Sequence, residues 1–145
     1  MAFSFSLATV LRVREILEDQ QERLLQKILF EIAQVRENLA RTEAAIAGSD
    51  DSRREEIMKP LAGHDFQASY EEIKALKQTK EELRATIGKL EQLRDRQLSA
   101  YEAARRNREM LTDMRDEKRD AYEADMAQRE QKTLDDNFIA RRGRS

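Results

Sequence analysis

Residues 69–114 read SYEEIKALKQTKEELRATIGKLEQLRDRQLSAYEAARRNREMLTDM. Tyr70, Ile73, Leu76, Leu83, Ile87, Leu90, Leu93, Tyr101, Ala104 and Leu111 recur on a three-and-four-residue spacing, while Lys, Arg, Glu and Gln fill the gaps. That period is helical, and a stripe this narrow is the seam of a coiled coil rather than the face of a globular core. A seam needs a second helix to cover it.

The segment from Leu7 to Ile46 carries a stripe of the same kind. It opens at Leu7, Val10, Leu11, Val13 and Leu17, weakens at Gln20 and Gln21, then sharpens into Leu25, Ile28, Ile32, Val35, Leu39, Thr42 and Ile46 at alternating steps of three and four. Leu24 followed by Ile28 and Ile32 reads as an extra four-step, a stutter that locally relaxes a left-handed supercoil.

Between the two stripes lies SDDSRREEIMKPLAGHD, the one stretch unlike a coil. Ala47 and Gly48 read as a helix end, with Gly supplying a left-handed residue. Ser52 with Glu55 and Ser69 with Glu72 have capping-box spacing, and Pro60 forbids a helix running through Lys59. The expected organisation is a single domain: helix 6–47, connector 48–68 with a short helical turn, helix 69–140 and a basic tail 141–145. The expected fold is all-α, two long helices forming an antiparallel coiled-coil hairpin with the second helix longer than the first. Antiparallel partners have position numbers of constant sum, and pairing Ile46 with Ile73, Val35 with Leu83, Ile28 with Leu90, Leu17 with Tyr101 and Leu7 with Leu111 holds that sum near 118.

Composition agrees with this reading. One Pro, four Gly, no Trp and no Cys accompany 39% charged and 39% hydrophobic residues, the balance of a coiled coil rather than a disordered chain. The formal net charge is -2 from interleaved signs, so the whole chain has no field that would draw nucleic acid or an anionic membrane. Only Arg141, Arg142 and Arg144 form a basic cluster. No segment reaches the ~18 apolar residues of a transmembrane helix, and the first residues lack a signal peptide's cationic start, so a soluble cytoplasmic protein is expected.

The sequence points away from an enzyme and calls for no cofactor and no metal. His64 is the sole histidine, and beside Gly63 and Asp65 it reads as solvated or capping. Acidic neighbours such as Glu71 with Glu72 diverge around a helix and face water, whereas acid-base catalysis needs opposed, desolvated carboxylates. Phosphate-cradling glycine loops, nucleophile elbows and EF-hand spacings are absent from the sequence.

The candidate contact residues lie at the chain's ends. Phe3 and Phe5 alternate with serines ahead of the first helix, where the rings either fold back as a hydrophobic staple or meet a partner. At ~1.5 Å per residue the second helix spans ~105 Å against ~60 Å for the first, so about 30 residues outrun their cover. That overhang carries Met110, Met114, Tyr122, Met126 and Phe138 on a charged background. Such a helix is marginal alone and invites a partner. Gly88, inside the second helix, costs on the order of 1 kcal/mol relative to Ala and reads as either a close-approach point or a neutral surface residue.

Both ends resemble the FliJ family of flagellar export proteins. The opening F-x-F-x-L-x-x-V-L-x-x-R is present as Phe3, Phe5, Leu7, Val10, Leu11 and Arg14, and the family's K-x-L-D-E before a basic tail appears as Lys132, Leu134, Asp135 and Asp136, then Arg141 and Arg142. Asp136 stands where Glu is common, and the connector with Pro60 has no counterpart in the pattern. The resemblance implies a hairpin similar to the rotor stalk of rotary ATP synthases. It implies as partners the hexameric export ATPase, the membrane export gate protein and export chaperones, with the protein at the cytoplasmic face of the inner membrane at the flagellar base, and through flagellum assembly a part in motility and chemotaxis. The end motifs and the overhang together make Phe3, Phe5, Leu7, Arg14, Met114, Tyr122, Met126, Leu134, Asp135, Phe138, Arg141 and Arg142 the expected contact residues.

An isolated monomer is the expectation for a hairpin. Two rivals stand beside it: a generic homodimeric coiled-coil tether, whose helices pair between chains, and a basic-tail binder of membrane or nucleic acid, whose binding added salt would weaken steeply.

Overall fold

The computed structural model of the protein describes the backbone of residues 2–57 and 63–144 and the side chains of residues 2–55 and 67–144. Two helices make up almost all of it: α1, Ala8–Ile57, and the longer α2, Gly63–Gly143. They pack as a helical hairpin, and the described residues include no strand.

The seam explains the pairing. From Leu7, just before α1, to Ile46, a series of buried and half-buried positions runs Leu7, Leu11, Arg14, Glu18, Gln21, Leu25, Ile28, Ile32, Val35, Leu39, Thr42 and Ile46, an unbroken alternation of four and three steps. Along α2 the matching series runs Ser69, Ile73, Leu76, Lys80, Leu83, Ile87, Leu90, Arg94, Gln97, Tyr101, Ala104, Arg108 and Leu111. Leu24 is 48% exposed and Leu25 is 8% exposed, so the expected stutter is absent and the heptad passes through this region intact. Val10, Val13 and Leu17 likewise face outward, as do Tyr70 and Leu93. The polar residues Arg14, Glu18, Gln21, Arg94 and Gln97 hold the seam positions in their place.

Two compact units divide the chain, Gln21–Ala100 and Met1–Gln20 with Tyr101–Ser145. In the first, Leu25, Ile28, Ile32, Ile46 and Ile73 form the core. Gln97 donates from Nε2 to the Gln21 side-chain oxygen at 2.7 Å and to its backbone carbonyl at 3.0 Å, a pair that satisfies the expected sum of 118. The ion pairs Arg36–Glu91 at 2.9 Å and Arg84–Glu43 at 3.5 Å join residues each somewhat C-terminal of the other's level. Helical side chains lean toward their own N-terminus, and in an antiparallel pair those leans converge, so long partners meet beyond the register line. These pairs are exposed and are worth ~0.2–1 kcal/mol each.

The helix ends differ from the sequence reading. Gly48 has no positive φ, and α1 runs through it and through Ser52 and Glu55 to Ile57. Ser49 and Arg53 extend the seam beyond Ile46, and the Arg53 guanidinium sits 5.4 Å from the Tyr70 ring centroid, so packing carries the helix past its weak glycine. α2 starts at Gly63, which leaves Ser69 and Glu72 inside the helix rather than at a cap. At the other end α2 continues to Gly143, so Arg141 and Arg142 belong to its last turn and complement the helix dipole instead of forming a loose tail. Met58, Lys59, Pro60 and the His64 side chain lie outside the described residues.

No described side chain is fully buried. Two helices cover one edge of each other and leave the rest to solvent, which fits a chain with so little apolar surplus.

Candidate partner-binding surface

The unit made of Met1–Gln20 and Tyr101–Ser145 holds every contact residue singled out from the sequence. α1 begins there after a turn in which the Ala8 amide donates to the Phe5 carbonyl at 3.1 Å and the Leu11 amide to the Leu7 carbonyl at 2.9 Å. The turn aims both phenylalanines at α2. Phe5 is buried, with the Lys118 ammonium 5.7 Å from its ring centroid, and the half-buried Phe3 ring lies 5.7 Å from that of Tyr122 at a tilted 44°. A cation and an edge-tilted ring are the contacts that the negative face of an aromatic ring favours.

Below this clamp the seam is charged. Arg108 donates from Nε to Glu18 Oε2 at 2.6 Å and from Nη2 to Oε1 at 3.2 Å, a fork-on-carboxylate arrangement in which both side chains are largely covered. The hydrogen bond to Glu18 raises the Arg108 guanidinium above its usual range against the opposing effect of burial. Arg105 is raised as well, chiefly by its hydrogen bond to Glu109 at 2.8 Å. Arg14 is half-buried at the next seam position.

The phenylalanines carry the cover further along α2 than sequence reasoning placed it. The overhang was expected to begin near Met110; Met110 is exposed, but Met114 is half-buried and contacts from the N-terminal turn reach Tyr122. Every described residue from Ala127 to Arg144 is exposed. Met126, Arg129, Glu130, Thr133 and Leu134 line a shallow trough there, followed by Leu134 at 63%, Phe138 at 64% and Ile139 at 66% exposure. The helix is held by its own local bonds, among them Arg129 to Asp125 at 3.2 Å, Gln131 to Asp135 at 3.2 Å and the Thr133 hydroxyl to the Arg129 carbonyl at 2.9 Å. Such pairs are worth only ~0.2–0.5 kcal/mol each on an isolated helix.

Phe3, Phe5, Leu7, Arg14, Met114 and Tyr122 are thus gathered around the covered part of this unit, while Leu134, Asp135, Phe138, Arg141 and Arg142 lie on the uncovered helix, with Met126 at the border. Sequence reasoning missed Glu18, Arg108 and Lys118. Glu18 and Arg108 occupy seam positions, and continuing the heptad strictly through polar residues would have found them. Among the described residues no group of acidic or histidine side chains is arranged to hold a metal ion, and no described helix is long and apolar enough to cross a membrane.

No curated protein and no solved structure matches the chain. A family model described as "Flagellar FliJ protein" matches residues 3–144, from the first of the two clamp phenylalanines to the end of the uncovered helix. The chain therefore belongs to the FliJ family of flagellar proteins.

Proposed function

We propose that this chain is a non-enzymatic stalk of the flagellar type III export apparatus, which stands in the ring of the export ATPase, promotes its activity, links it to the membrane export gate and escorts export chaperones. Membership of the FliJ family makes the chain a component of flagellar protein export. The narrower role draws its support from one observation: a uniformly exposed helix with Leu134, Phe138 and Ile139 unpaired, next to a clamp of Phe3 and Phe5 on the same chain. A two-helix hairpin is ~20 Å across, narrow enough for the pore of a hexamer. Exposed mixed charges give contacts of ~0.2–1 kcal/mol each, weak enough for turnover.

In this reading the terminal unit, through Phe3, Phe5, Leu7, Arg14, Met114, Tyr122, Met126, Leu134, Asp135, Phe138, Arg141 and Arg142, engages the ATPase, and the unit of Gln21–Ala100 meets the gate. The protein works in the cytoplasm, peripherally at the inner membrane of the flagellar base, and is a monomer when isolated. The test is the ATPase rate of the purified export ATPase with added protein. Replacing the exposed Leu134 and Phe138 with Ala is expected to abolish stimulation while helicity is kept, and unaltered stimulation would remove the assignment. The alternative, a homodimeric tether, predicts a concentration-dependent dimer in light scattering.

A further inference from the structure

The first half of α1 carries two interleaved heptad series. The one facing α2 is Leu11, Arg14, Glu18, Gln21 and Leu25, polar at its three middle positions. The other lies one residue earlier, at Val10, Val13, Leu17 and, past Gln20, Leu24, and these side chains are 43%, 50%, 38% and 48% exposed. Between Leu11 at 4% and Leu25 at 8% exposure, the apolar series is thus outside and the polar one inside. That is the reverse of what burial alone favours.

We infer that α1 has two seatings against its own partner helix, the polar one seen here and an apolar one reached by turning the N-terminal half of α1 about its axis by ~100°, one residue's worth of helix. Three observations carry this. The apolar series joins the remainder of the seam without a break, because Leu24, Ile28 and Ile32 step by four and four, a stutter that a continuous helix absorbs by slight local unwinding. The opposing stretch of α2, Tyr101, Ala104 and Leu111, is apolar except for Arg108 and suits either face of α1. The present seating is held by two polar pairs, Glu18–Arg108 and Gln21–Gln97, whose members all become solvent-facing or unpaired on turning. Polar pairs traded against apolar burial leave two packings of similar free energy, the condition for a switch. What binds one face of α1 therefore biases which face is offered.

The sequence contains no cysteine, so single cysteines read the seating directly. A thiol-reactive maleimide is added to full-length protein bearing Leu17→Cys or Glu18→Cys, with Arg12→Cys, at an exposed position, as the reference rate. With Leu17→Cys alone the label goes on at the reference rate. Adding Arg108→Ala makes the α2 seam apolar from Tyr101 to Leu111, and labelling at Leu17→Cys is expected to slow about tenfold with helicity unchanged. A second background, Glu18→Leu with Gln21→Leu, leaves Arg14 as the one polar residue of the present α1 seam between Leu11 and Leu25, favours the present seating and keeps Leu17→Cys at the reference rate. Leu17→Cys labelling unchanged by Arg108→Ala in a fully helical protein would overturn the inference. Faster labelling at both Leu17→Cys and Glu18→Cys with loss of helicity would do so too, because α1 then detaches instead of turning.

Discussion

The Gln97 amide nitrogen donates to both the side-chain and the backbone oxygen of Gln21, so two seam positions that would ordinarily hold leucine are filled by one hydrogen-bonded pair. A polar pair in a coiled-coil seam fixes register at some cost in stability, since it is satisfied in one alignment only. Gln97→Leu alone strands the Gln21 side chain and is expected to destabilise by ~1 kcal/mol, whereas Gln21→Leu with Gln97→Leu should match or exceed the parent. Thermal unfolding followed by helicity reads both.

The Glu18–Arg108 fork is the most covered of the described ion pairs, and it sits in the seam below the Phe3 and Phe5 clamp. Glu18→Ala leaves the Arg108 charge largely covered and is expected to cost ~1–3 kcal/mol, against under ~1 kcal/mol for breaking the exposed Arg36–Glu91 pair with Arg36→Ala. Urea denaturation of the two variants checks the ranking, and equal costs would contradict it.

Phe5 closes the seam at its N-terminal end. Phe5→Ala should weaken the terminal unit by ~2 kcal/mol, the burial of one large apolar side chain, and should raise amide exchange along α2 near Lys118 and Tyr122. Exchange unchanged in that stretch would mean that the ring contributes no cover.

Neither Gly48 nor Gly88 has a neighbour within 4 Å of where a Cβ would stand, and neither has a positive φ. Both therefore carry only the entropic penalty of glycine in a helix. Gly48→Ala and Gly88→Ala should each stabilise by about 0.8–1 kcal/mol, raising the midpoint of thermal unfolding. A loss at Gly48 would show that the residue serves as a helix end after all.

The hairpin was legible because Leu25 to Ile46 and Ile73 to Leu90 repeat cleanly enough to fix both helices and their antiparallel pairing. The helix ends were less so. Gly48, Ser52 and Ser69 carry local stop and start signals that are worth about 1 kcal/mol each, and the seam contacts of Ser49, Arg53 and Ser69 outweigh them. The phase of α1 near its start was misread for a related reason: Val10, Val13 and Leu17 are the apolar choice, and only tertiary pairing reveals that Arg14, Glu18 and Gln21 face inward. The closeness of the Phe3 and Phe5 rings to Tyr122 and Lys118 depends on a turn geometry that no periodicity encodes.

The two seams close within one molecule, and oxidation of the Gln21→Cys, Gln97→Cys variant tests this most directly, since no native thiol interferes. A disulfide formed within the monomer, at a yield independent of protein concentration, is the predicted result. Disulfide-linked dimers, growing with concentration, would contradict it.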